Sequence, residues 1–224
     1  MSDIATLRQK NNISIITMDD GKANAFSTQM LTELNNCLKK VPTDSGSLII
    51  TGREGVFSGG FDLKTLSSGD LDAIKDMVTL GYRALLDLYS FPRPIIAAVS
   101  GHAVALGLFV VCCADYRVGL EGKFICQANE VRNNMDIPPQ IMEILKDRVS
   151  KRFFHRAILN GDIFSTQESI EVGYLDEVVQ PEKLMERSLE KATDLATLGH
   201  PFYTNTKNTS QKEVVTKIKD ALGI

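Results

Sequence analysis

Tryptophan is absent from this 224-residue chain, and cysteine is scarce, confined to Cys37, Cys112, Cys113 and Cys126. No two cysteines form a C-x-x-C pair and none clusters with the three histidines, so neither a metal site nor a disulfide framework is signalled. Cys112 and Cys113 stand side by side in an apolar run, where thiols act as small hydrophobes. Concentrated charge is also missing. The net charge is -3 and no run of five basic residues exists to track a phosphate backbone, which argues against nucleic acid as a partner. The longest apolar run, Ala103 to Ala114, falls well short of the roughly 20 residues that a membrane span requires. The opening "MSDIATLRQKNN" lacks a basic region followed by an apolar segment, so the expectation is a cytoplasmic protein.

Several chemical signatures are missing as well. No G-x-x-x-x-G-K-[ST] phosphate loop occurs, nor a G-x-G-x-x-G after a strand. The serine of "VFSGG" has Val56, not glycine, two residues before it, so there is no nucleophile elbow. Neither a nucleotide enzyme nor a serine hydrolase is indicated.

What remains is an ordinary globular composition, 43% hydrophobic and 24% charged, with clear periodicities. Ile4 to Gln9 and Ile13 to Met18 alternate as a hairpin around "KNN". Ser27 caps a helix carrying Met30, Leu31, Leu34 and Leu38. "SLIIT" (47–51) reads as a buried strand, followed by "GREG" and "VFSGGFDL". Residues 70–90 carry one apolar helical face, including Ile74, Met77, Tyr82, Leu85 and Tyr89, which "FPRP" stops. "IIAAVSG" (95–101) is a second buried strand, and "GHAVALGLFVVCCAD" (101–115) supplies a helix beginning near Ala105 or Leu106. "YRVGL" and "KFICQ" are strands, and the irregular "ANEVRNNMDIPP" follows. From there the pattern is helical, interrupted by "NGDIFS" and "VGYLDEVVQPE". Repeated strand, strand, helix units followed by helices predict one α/β domain with a helical extension.

Two segments, "FSGGFDL" and "VSGHAVALGLF", leave buried strands through glycine. Such turns aim free N–H groups outward, and the second also opens a helix whose first N–H groups lack intrahelical partners. Two donors meeting at one point would form an oxyanion hole, although spacing alone favours two ordinary strand-to-helix connections.

"NAFS", "LIITGREGVFSGGFDLKTL", "FPRPIIAAVSGHAVALGLFVVCCADYRVG", "NEV" and "RAILNGDIFSTQESIEVGYLDEVV" resemble, in order and spacing, the crotonase superfamily, also called the enoyl-CoA hydratase/isomerase family. The resemblance covers nearly the whole chain. It implies a spiral of ββα repeats over residues 1–150 and a helical C-terminal trimerisation region over 151–224. It also implies homotrimers or hexamers, and acyl-CoA thioesters as substrates, coenzyme A being part of the substrate and no separate cofactor needed.

The resemblance also assigns a site. Phe61, after the second glycine of the first segment, would offer one N–H to the thioester oxygen; Leu106, with Ala105 before it, would offer the other from a family Gly-Gly-Gly that here reads "ALG". Coenzyme A would lie against Gly21, Ala23, Gly59, Asp62 and Leu63, with Lys64 near its phosphates. Of the two glutamates typical of hydratases, the first position is Phe109 and the second is Glu130, preceded by Asn129. Asn134 replaces a family glycine and tolerates the left-handed conformation, and Pro138–Pro139 open a helix.

These residues imply chemistry through an enolate. A single base, Glu130 with a pKa raised beside Phe109, suffices to move a double bond, whereas hydration is usually helped by a second carboxylate. The preferred reaction is therefore enoyl-CoA isomerisation. Hydration, acyl-CoA hydrolysis or decarboxylation, and a non-catalytic CoA-ester-binding or assembly role remain alternatives. His102, Arg83 and Asp115 read as structural, and Asp62 as ordering its own loop.

Overall fold

A computed structural model describes residues 3–224. The chain opens with the hairpin β1 (Ala5–Lys10) and β2 (Ile13–Met18), then α1 (Thr28–Leu38), which Ser27 caps by accepting a hydrogen bond from the Met30 N–H at 3.2 Å. The ββα turns follow. β3 (Ser47–Thr51) and β4 (Gly55–Ser58) lead through the short α2 (Leu63–Leu66) to α3 (Leu71–Tyr89). β5 (Ile95–Val99) and β6 (Gly101–Val104) lead to α4 (Leu106–Cys113); β7 (Tyr116–Leu120) and β8 (Ile125–Gln127) lead to α5 (Pro139–Arg148). β9 (Phe164–Ser165), α6 (Glu168–Val172), β10 (Glu177–Val179), α7 (Leu184–Ala196) and α8 (Phe202–Leu222) complete it.

Each turn of the spiral gives one strand to each of two sheets. The larger has the order β1-β2-β3-β5-β7-β10, parallel except for the β1–β2 hairpin; the smaller has the order β4-β6-β8-β9, with β9 antiparallel. The central strands β3 and β5 of the larger sheet are buried on both faces, which is why they read as unbroken apolar runs. Leu48 and Ile50 on β3, with Ile95, Ala97 and Val99 on β5, enter the main core. The alternate residues Ile49, Ile96 and Ala98 face a second core beneath Leu184 and Ala192 of α7.

The sequence reading needs correction in two places. Gly101–Val104, taken there as the approach to a helix, is the strand β6; it pairs with β4 and β8 before α4 begins at Leu106. The two interruptions in the C-terminal helical pattern are strands. β9 and β10 are only two and three residues long, too short to show a period, yet β10 pairs in register with β7.

Candidate active site

Three strands of the smaller sheet deliver the candidate residues from their C-terminal ends. β4 runs into Gly59, Gly60 and Phe61, β6 into Ala105 and Leu106, and β8 into Asn129 and Glu130. Asn24, fully buried, fixes the first of these turns: its amide donates to the carbonyls of Met18, Val56 and Phe57. The Ser58 hydroxyl donates to the Asn24 carbonyl at 2.7 Å and accepts from the Gly60 N–H at 3.1 Å. Asn24 lies in the quoted "NAFS", but nothing in the sequence marked it as the pin of this turn.

The Phe61 N–H is left free by the way its segment pairs. Phe26 N donates to Gly60 O at 2.8 Å and Asp62 N donates to Phe26 O, so the bridge uses the groups flanking Phe61 and turns its own N–H the other way. Leu106 is the first residue of α4, where no intrahelical acceptor exists and no side chain caps the end. The two turns lie against one another. A Cβ added to Gly60, which has φ +95°, would stand 2.7 Å from Ala105 Cβ and 3.4 Å from Leu106 N. Ala105 itself holds φ 51° and ψ −129°, a conformation that favours glycine. Its N–H donates to Gln127 O at 2.9 Å, tying this turn to the strand that delivers Glu130.

Glu130 is 7% exposed, and its Oε2 has no hydrogen-bond partner among the described residues. Burial pushes its pKa up to about 7, against a smaller lowering by its own backbone N–H. Asn134 closes the following turn in the left-handed conformation at φ 57°, and Pro139 opens α5 after Pro138. Phe109 and Leu106 are each 1% exposed and belong to the main core.

The residues expected against coenzyme A gather at the outer end of the first turn. Gly21, at φ +72°, and Ala23 are exposed, and Ala23 accepts from Gly59 N at 2.9 Å. Leu63 and Lys64 are exposed at the start of α2. Asp62 caps that helix, accepting from the amides of Lys64 and Thr65 and from the Thr65 hydroxyl. Burial raises its pKa, but these hydrogen bonds outweigh it and hold the carboxyl below the usual value. Asn129 is half-buried, and its carbonyl accepts from Asn133 N.

Other polar residues are engaged elsewhere. His102 Nδ1 accepts from Ile125 N, and its ring meets Phe124 edge-on. Asp115 accepts from Ile95 N and pairs with Lys207 at 2.8 Å, while Arg83 is exposed. All four cysteines are buried, and burial raises the thiols of Cys112 and Cys126 to about 11 and about 12. Among the described residues no group of three metal-ligating side chains occurs, and no helix is long and apolar enough to cross a membrane.

Sequence reasoning missed two neighbours of this site on α3. Gly81 lies against the Phe61 ring, and Tyr82 packs edge-on to it at 6.1 Å. The only available signal was a glycine interrupting an otherwise apolar helical face.

The two-sheet ββα spiral is the fold of the crotonase superfamily. The chain belongs to the enoyl-CoA hydratase/isomerase family, whose model matches residues 8–222. It is similar to the structure of a probable enoyl-CoA hydratase from Mycobacterium tuberculosis, with TM-score 0.94 and 36% identity over 99% of this chain and 94% of that one. It is also similar to a Mycobacterium tuberculosis structure named as an enoyl-CoA isomerase, with TM-score 0.93 and 35% identity, covering 100% and 97% of the two chains. Human mitochondrial enoyl-CoA delta isomerase 1 is 26% identical over 188 residues, 79% of this chain; the chain spans 60% of that relative's length.

Proposed function

We propose that this protein catalyses double-bond migration in an enoyl-CoA thioester, with Glu130 as the single proton-transfer base. One observation carries the reading: the Glu130 carboxyl is buried, with one oxygen unpartnered among the described residues and a pKa pushed up to about 7; the position that the family resemblance gives to a second carboxylate is the buried Phe109. A carboxylate poised near pH 7 both removes and returns a proton efficiently. Glu130 takes a proton from C2 of a 3-enoyl thioester, and the electron pair spreads into the thioester oxygen. The Phe61 and Leu106 N–H groups hold that oxygen, and loss of one such donor typically costs ~10²–10³ in rate. Glu130 then returns the proton at C4, leaving the double bond between C2 and C3. Every electron and proton in this cycle is accounted for by the substrate and one carboxyl, so no separate cofactor is required. Coenzyme A would rest along Gly21, Ala23, Gly59, Asp62 and Leu63, with Lys64 toward its phosphates, in a cytoplasmic homotrimer or hexamer.

Incubation of the purified chain with 3-butenoyl-, 3-hexenoyl-, crotonyl- and butyryl-CoA separates the candidate reactions. The expected result is conversion of the 3-enoyl esters to 2-enoyl esters, faster than hydration or hydrolysis. kcat/KM should rise with pH and level off above about 7 as Glu130 ionises, and Glu130→Gln should lower it by ~10²-fold or more, a range typical of a proton-transfer group. Rapid hydration of crotonyl-CoA with no isomerisation would overturn the assignment. A second reading, a CoA-ester binder without turnover, is favoured by one observation: Leu106 and Phe109 are almost wholly enclosed in the core. It predicts ester binding with no change in any of the four substrates.

A further inference from the structure

Helix α3 reaches the site with two residues that the proton transfer does not use. At Gly81 any side chain would collide: a Cβ there would stand 2.6 Å from Cε1 of Phe61 and 3.1 Å from Cδ2 of Leu106. One residue on, Tyr82 sets its ring edge-on to Phe61, with centroids 6.1 Å apart and planes at 71°. The side chains of both amide donors thus pack directly on one turn of α3. Leu106 and Phe109 are buried beside them, so the chain's own carbon already fills much of the space next to the two amides. Tyr82 is half-buried and its hydroxyl makes no hydrogen bond to any described residue. Burial, with a contribution from the charge of Glu130, raises its phenol above the usual value, so it stays a neutral, uncharged wall.

Resting on the acyl-CoA reading above, we propose that Tyr82 is a specificity-determining residue whose ring, packed edge-on against Phe61, bounds the space open to the acyl group, so that methylenes beyond a butyryl chain gain no further burial. Gly81 makes this wall possible by letting the Phe61 ring lie flush against the helix. Truncating Tyr82 leaves Phe61, Leu106 and Glu130 in place and opens room for further methylenes.

Calorimetric affinities for butyryl-, hexanoyl-, octanoyl- and decanoyl-CoA, with free coenzyme A as reference, test this without relying on turnover. In the wild type and in Tyr82→Phe, which keeps the ring, affinity should stop improving beyond butyryl. In Tyr82→Ala and Tyr82→Val it should tighten about fourfold per added methylene until the new space is filled, the ratio equivalent to ~0.8 kcal/mol per buried CH2. Affinity for free coenzyme A should be the same in all four proteins, which a general loss of structure would not allow. Steady tightening in the wild type through decanoyl, or truncated variants as insensitive to length as the wild type, would overturn the role of Tyr82 alone. Failure of the wild type to bind any ester would overturn both this role and the acyl-CoA reading.

Discussion

The turn after β4 and the turn after β6 present the same thing, an unpaired backbone N–H, but they are built from different residues. The first bends at Gly60, where φ +95° is easily reached and no Cβ is present to collide with the neighbouring turn. The second bends at Ala105, where φ 51° and ψ −129° place an L side chain in a sparsely populated region at a cost of ~1–3 kcal/mol. One turn is relaxed and the other is held under strain by its surroundings. The holding groups are visible: Ala105 N is bonded to Gln127 O, and Gly107 leaves room only for the Ser58 backbone, whose oxygen would lie 2.5 Å from an added Cβ. Strain of this kind is found where surrounding contacts over-determine the backbone, and here it stands immediately before the unpaired Leu106 N–H.

Three changes test how far that contrast goes. The largest effect is expected from Gly60→Ala, which puts a methyl into the relaxed turn at 2.7 Å from Ala105 Cβ. Both amides should shift together, with kcat/KM on a 3-enoyl-CoA falling ~10²-fold or more and unfolding free energy by ~2–4 kcal/mol in a denaturant titration. Unchanged turnover would show that the two turns do not depend on each other.

A second change separates backbone strain from buried charge. Glu130 has a folded-state pKa of about 7, above the 4.5 of an ordinary glutamate, so between those values the folded chain binds more protons than the unfolded one. The stability from this group is fully present below about pH 4.5 and is lost as pH rises through 7. Glu130→Gln, which mimics the neutral acid, should therefore match the wild type near pH 4.5 and exceed it at pH 8, by an upper limit of about 3 kcal/mol. Denaturant midpoints at the two pH values decide it; an equal gap at both would remove burial as the cause.

The smallest effect is expected from Ala105→Gly. Relief of the strained φ is partly cancelled by the greater freedom of glycine in the unfolded chain, worth ~0.5–1 kcal/mol. A net gain of about 1 kcal/mol with kcat/KM within threefold would fit a strained but rigid turn. A clear loss of stability would mean that Ala105 contributes packing that outweighs its backbone cost.

The sequence carried those parts of the structure that rest on local chemistry. Ser27 as a cap and "SLIIT" and "YRVGL" as strands follow from short-range rules and stand where those rules put them; Asn134 as a left-handed turn residue and Pro139 as a helix start, read through the family resemblance, are also found there. What escaped depends on partners distant in the chain. β6 lacks the length and alternation of a free-standing strand and exists because β4 and β8 flank it. Tyr82 looked like one more apolar position on α3, because an amphipathic stripe cannot show which of its members meets Phe61. The strain at Ala105 was invisible for a similar reason: alanine after valine predicts nothing about a positive φ imposed by Gln127 and Ser58.

The position of α7 bears on how this chain comes into being. Ile13, Ile49, Ile96 and Val118 lie on one face of the larger sheet, and the cover over them comes from Leu184 and Ala192, near the chain's other end. The Ser47 hydroxyl, on the earliest of the inner ββα turns, finds its acceptor in the Ala192 carbonyl, 145 residues later. Until residues 184–196 have been synthesised, a growing chain can pair β2 with β3 and β3 with β5 yet leaves an oily sheet face open to water. Such surfaces promote aggregation, and contacts this distant in sequence form slowly. The chain must therefore be available through Ala192 before this sheet face is covered.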